Sequence, residues 1–367
     1  MKRIPILFSI AMASIISSCN NKEAATDRKG GDNPLLHAST LPYQAPEFDK
    51  IKDSDFEPAI IQGMKEQQAE MQKIADNPEA PTFENTLVAM EKSGQLLNRV
   101  SMTFNVLTGA NTNDSLQKVQ EAVAPKLAAH QDAIYLNDKL FKRVDAIFQK
   151  RNELNLDPES LRLVEYYHQQ FEIAGANLSE ENKTKLKKLN EEDATLSTRF
   201  TNQLLASAKK GALVVSDKNE LAGLSQGDLD AAAQSAKESK LTGKWMFPLQ
   251  NTTQQPLLQS LSNRETRRKL FEASWNRAEQ GDVNDTRKLI SRMAQLRAEK
   301  AALLGFPNYA AWKLQDQMAK TPAAVESFFA KLIPAATAKA RTEAKDIQAL
   351  INEQKDTFSL QAYDWDF

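Results

Sequence analysis

The chain has 367 residues and a formal net charge of −1, from 47 basic and 48 acidic side chains. So even a balance sets up no global field for nucleic acid or an anionic membrane, and a polyanion partner is not suggested. Glycine (12) and proline (14) are sparse while Ala, Leu, Gln, Lys and Glu abound, which favours long helices over sheets; the single cysteine, Cys19, excludes an intrachain disulfide and a cysteine-built zinc site.

The N-terminus reads as an address. Met1-Lys2-Arg3 is basic, Ile4 to Ile16 is apolar, and Ser17-Ser18-Cys19 follows. A basic start, a short apolar core and small residues before a cleavage point make a secretory signal. Ile16-Ser17-Ser18-Cys19 also resembles a bacterial lipobox, so Cys19 is expected to be acylated and residues 1–19 to be the signal. Residues 20–32 then form a polar tether with Gly30-Gly31. The protein is therefore expected to be exported and lipid-anchored in a bacterial cell envelope, facing the periplasm or the cell surface.

From residue 33 the pattern is helical. Ser54 or Asp55 can cap a helix whose stripe is Phe56, Ile60, Met64, Gln67, Met71 and Ile74, broken only by Gln67. Thr82 begins a second, with Phe83, Leu87, Met90, Leu97, Phe104 and Leu107 on one face. Asp114 caps a third, carrying Leu116, Val119, Val123, Leu127 and Ile134, with Pro125 a possible kink. Asp157-Pro158 is a cap followed by proline at the first helical position, ahead of Leu161, Val164, His168 and Phe171. Ser179 with Asn182 opens a long helix to about Ala208. Residues 212–215 and 244–247 are short runs of β-formers with a helix between them near 227–237, which suggests a small ribbon. Helices resume at Asn263 and run over 285–304, 308–317 and 321–353. The fold class is mostly α, of packed helical hairpins.

Catalytic constellations are hard to find. The three histidines, His37, His130 and His168, are far apart, so no H-E-x-x-H exists. His37 reads as solvated, His130 lies on a polar stretch and His168 on an apolar stripe; none is expected to hold a metal. Neither a G-x-S-x-G elbow nor a phosphate-binding glycine loop is present. The basic run Arg264, Arg267, Arg268, Lys269 is compensated by Glu265 and Glu272 at helical spacing and reads as an ion-paired, solvated face. The acidic residues Glu180, Glu181, Glu191, Glu192 and Asp193 read as a solvent face too. Phe104, Phe200, Phe271, Trp275 and Trp312 fall at helical spacing and read as core, with a peptide-binding surface as the minority alternative.

An ordered series of local sequences carries a resemblance. It runs Asn33-Pro34-Leu35-Leu36, Pro46-Glu47-Phe48-Asp49, Asp55-Phe56-Glu57-Pro58-Ala59-Ile60, Pro81-Thr82-Phe83-Glu84-Asn85-Thr86 and Leu107-Thr108-Gly109-Ala110-Asn111-Thr112. Later come residues 296–305, Tyr309-Ala310-Ala311-Trp312, Met318-Ala319 and Tyr363-Asp364-Trp365-Asp366-Phe367. Together they resemble the N-terminal half of bacterial dipeptidyl carboxypeptidases, relatives of oligopeptidase A, thimet oligopeptidase and neurolysin. The resemblance implies one helical lobe, residues 33–367, of a two-lobed zinc peptidase that releases C-terminal dipeptides from short peptides. It also implies zinc held by two His and one Glu in sequence that this chain does not contain, with an open position for water. The chain on its own is then expected to be inactive, with no catalytic or metal-binding residue. A reading from a different class is a non-catalytic helical envelope lipoprotein that binds peptides or a protein partner.

Overall fold

A computed structural model describes residues 33–354 and 357–367. Cys19, the signal and the tether lie outside the described residues.

Helix α1 (Phe56–Ala75) follows a 3-10 turn at Asp53–Asp55. Its stripe is buried as the spacing requires: Phe56, Ile60, Met71 and Ile74 are all in the core. Gln67, the break in that stripe, has a partner, since its Oε1 lies 2.7 Å from His130 Nε2.

The stretch expected as one helix from Thr82 is two. A π-helical turn (Phe83–Val88) runs into α2 (Ala89–Glu91), and α3 (Gln95–Ala110) starts afresh after Gly94. Gly94 has φ +70° and donates its N–H to Glu70 at 2.7 Å. A side chain there would be strained, so the break belongs to this glycine.

Helix α4 (Asp114–Tyr135) is continuous through Pro125. Its cap is Asn113 rather than Asp114: the Asn113 Oδ1 accepts from the N–H groups of Ser115 and Leu116. Helix α5 (Asp138–Gln149) was not expected. It is capped by Asn137 and buries Leu140, Val144 and Ile147. Helix α6 (Pro158–Ala174) starts on Asp157, whose Oδ1 accepts from Glu159 and Ser160. Helix α7 (Glu180–Lys210) is capped by Ser179, and a two-stranded antiparallel ribbon follows. Its strands are β1 (Leu213–Val215) and β2 (Trp245–Phe247), with Val214 opposite Met246 and helix α8 (Gln226–Glu238) between them. A second unexpected helix, α9 (Asn251–Ser260), precedes α10 (Arg264–Trp275). The order ends with α11 (Arg287–Leu303), α12 (Tyr309–Lys313) and α13 (Pro322–Glu353).

Three apolar clusters hold these elements. Phe56, Ile60, Leu97, Val100, Phe104 and Leu116 join α1, α3 and α4. Leu87, Ile134, Leu140, Val144, Val164 and Phe171 join the far ends of α1 and α4 to α5 and α6. Val215, Leu229, Phe247, Leu257 and Leu270 join the ribbon to α8, α9 and α10. Helix α7 bridges the assembly, packing on α4 along one side and α11 along the other. Helix α13 has 32 residues and none is buried.

Candidate functional site

The interface of α7 with α4 and α11 is polar. Asn190, Glu192 and Asp193 project from α7, Asp132 from α4, and Arg292, Arg297 and Lys300 from α11. Lys300 Nζ donates to Asn190 Oδ1 at 2.7 Å, and Asn190 Nδ2 donates to Asp132 Oδ1 at 2.7 Å. An amide thus bridges lysine and carboxylate. Arg292 makes two bonds to Glu192, at 2.7 and 2.8 Å, and Arg297 Nε sits 3.6 Å from Asp193. Glu192 and Asp193 therefore hold two helices together, whereas Glu180 and Glu181 do face solvent.

A cavity of about 390 Å³ opens beside this polar interface, walled by Asp132, Asn190, Lys300, Trp312, Lys313 and Asp316. Trp312 is anchored by its indole N–H, which donates to the Ile173 carbonyl at 2.9 Å, and Lys300 Nζ lies 4.7 Å from its ring. Burial pushes the Asp132 carboxyl above its ordinary value, against the pull of the Asn190 amide and the Lys300 charge. Burial likewise lowers Lys300, although Asp132 and Asp193 counter it. Among the described residues Asp132 Oδ2 has no hydrogen-bond partner. The groups fix α11 against α7, and Trp312 ties α12 to α6, at a cost in solvation.

A second polar centre joins the end of the chain to α10. Asp364 is buried and accepts from Arg264 Nε (3.0 Å) and Nη2 (2.8 Å), from Arg267 Nη2 (3.2 Å) and from the Gln361 N–H (3.1 Å). Phe358 and Phe367 lie against the two guanidinium groups, 4.0 Å from Arg264 and 3.8 Å from Arg267. Burial alone would raise the Asp364 carboxyl; the Arg264, Gln361 and Arg267 hydrogen bonds carry it below its ordinary value. The basic run is therefore divided. Arg268 pairs with Glu265 and Glu272 as its spacing requires, but Arg267 is almost wholly buried and serves Asp364. Nothing local in the sequence signals this, because the partners are about 100 positions apart.

Beside that centre is a cleft of about 550 Å³, between α7, α9, α10 and α11. Trp275 stacks on Phe271 there at 5.5 Å and is 76% exposed, so it is not the core residue its spacing suggests.

The histidines stay apart. His37 is exposed. His130 is buried against Gln67, and burial lowers its pKa. His168 is stacked on Phe148 at 3.8 Å, with Asp145 at 3.2 Å from its Nε2. Among the described residues no three His, Cys, Asp or Glu side chains gather as metal ligands would. This donor set does not fit a zinc site of the two-His, one-Glu kind.

Residues 257–367 match the model for peptidase family M3. The chain is 51% identical over 335 residues to the dipeptidyl carboxypeptidase of Escherichia coli (strain K12), covering 91% of this chain and 49% of that protein. It is 50% identical to the dipeptidyl carboxypeptidase of Salmonella typhimurium over the same shares. To oligopeptidase A of Escherichia coli it is 24% identical, over 90% of this chain and 49% of the relative. The chain is thus similar to members of peptidase family M3 along most of its length. It spans about half the length of the curated relatives it matches.

Proposed function

We propose that this chain is a helical lobe, residues 33–367, of a peptidyl-dipeptidase-type zinc metallopeptidase that releases C-terminal dipeptides from oligopeptides. The observation that carries this reading is the identity of 51% over 91% of the chain to a dipeptidyl carboxypeptidase. The lobe contributes shape rather than chemistry: Asp364 and Glu192 are committed to joints between elements, and no zinc ligand set is found among the described residues. No step through a metal is assigned to them, and the 367-residue chain alone is expected not to cleave peptides.

The test is a peptidase assay with and without a chelator. It compares the chain alone with the chain joined to the portion of a dipeptidyl carboxypeptidase that it does not cover. Cleavage should appear in the joined protein only, and the chelator should abolish it. Chelator-sensitive release of a dipeptide by the chain alone would overturn the reading. The leader supports a further part of the proposal, that Cys19 carries lipid and holds the protein in the cell envelope.

A further inference from the structure

We propose that the cleft beside Trp275 is a binding site for a di- or tripeptide with both ends free and an aromatic or branched side chain. The proposal rests on the peptidase reading for its ligand class and on the cleft itself for everything else. At about 550 Å³ the cleft has the size of small-ligand pockets and is far too small for a folded partner. Its floor is apolar and open: Trp275 and Phe271 lie nearly parallel, 13° apart, and Ile290 beside them is 50% exposed. A flat aromatic pair of this kind takes up a ring or a branched chain at little entropic cost.

Charge complementarity selects the rest of the ligand. The basic side chains of α10 all have acidic partners: Arg264 and Arg267 on Asp364, Arg268 on Glu265 and Glu272, Lys269 on Glu220. Arg277, just past the end of α10 and on the wall of the cleft, has none among the described residues. It is half-buried, so solvent satisfies its guanidinium only in part. Asp366, also on the wall, likewise has no cationic partner among the described residues. A guanidinium presents paired N–H groups to a carboxylate, and a carboxylate receives an ammonium. One cation, one anion and an aromatic floor between helices match the carboxylate, ammonium and side chain of a short zwitterionic peptide. Gln255, on the same wall, can meet its peptide group.

Calorimetric titration of the full chain with Ala-Phe, Ala-Phe amide and N-acetyl-Ala-Phe tests this. Ala-Phe should bind saturably, and each blocking group should weaken binding about tenfold, the worth of a charged hydrogen bond. Arg277→Gln should erase the preference over the amide, and Asp366→Asn the preference over the acetylated peptide. Trp275→Ala should weaken all three. Equal binding of the three peptides, or no saturable binding, overturns the site, and because both are read on the unaltered chain a poorly folded variant cannot rescue it. Cleavage by the joined protein together with either result would refute the cleft and leave the peptidase reading standing; absence of cleavage with dipeptide binding would do the reverse.

Discussion

Replacing Asp364 by Asn should release the last ten residues from α10 while leaving the rest folded. The carboxylate accepts from two arginines and one backbone N–H. Asparagine keeps one oxygen but loses the charge, and Arg267, with only 3% of its side chain exposed, is left as an uncompensated buried cation. Breaking a buried pair in this way costs about 3–5 kcal/mol. Arg264 is a third exposed and recovers water, so the lower end applies, about 3 kcal/mol. At 1.4 kcal/mol per decade that is roughly a hundredfold rise in the opened population. Hydrogen exchange of residues 358–367 reads it directly, and amides of α1 and α4 serve as the internal reference. The same opening should follow acid in the unaltered protein. The folded carboxyl lies below its ordinary value of 3.8, so its contribution is complete above that value and disappears as pH falls through the lower folded one. Exchange in 358–367 that is unchanged by Asp364→Asn would refute the reasoning, since it would mean that the aromatic contacts alone hold the segment.

Gly94→Ala should destabilise the fold by about 1–3 kcal/mol, because the residue sits at φ +70° and a Cβ would meet Gln67 Nε2 at 2.4 Å; the urea midpoint measures it, and an unchanged midpoint would show that the turn tolerates a side chain. His130 is held below its ordinary 6.5 by burial, so stability should decline as pH falls from that value through the folded one, a slope that His130→Gln should remove. An NMR titration placing His130 at or above 6.5 would contradict this. Cys19→Ser should move the protein from the detergent phase to the aqueous phase on fractionation of cells, and an unaltered partition would rule out the anchor.

The helices with chemical punctuation were legible. Asp157-Pro158, Ser179 and Thr321 each cap the helix expected of them, and the β-branched and aromatic runs at 212–215 and 244–247 do pair. Helix α5 carries the same signals: Asn137 is a cap, and Leu140, Val144 and Ile147 keep helical spacing. Helix α9 gave little signal, with a polar start and Pro256 inside. What could not be read is long-range. The break at Gly94 depends on Glu70, 24 residues away, and the burial of Arg267 depends on Asp364. Trp275 shares its helix face with Phe271 but, five positions on, lies about 140° around the helix from Leu270; α10 packs on the ribbon cluster through Leu270, which is buried, and leaves Trp275 open.

Helix α13 extends about 48 Å at 1.5 Å per residue. Phe328, Phe329, Leu332 and Ile333 remain open to water along it, and its far end is tied down by Gln348, which bonds the Phe358 carbonyl and the Leu360 N–H. Helices without tertiary support owe their order to local propensity, which is marginal. Heating the isolated chain should therefore produce a shallow, early loss of ellipticity from this rod, followed by a steep collapse of the three clustered cores. The temperature gap between the two would measure how little the remainder of the molecule does to keep the rod wound.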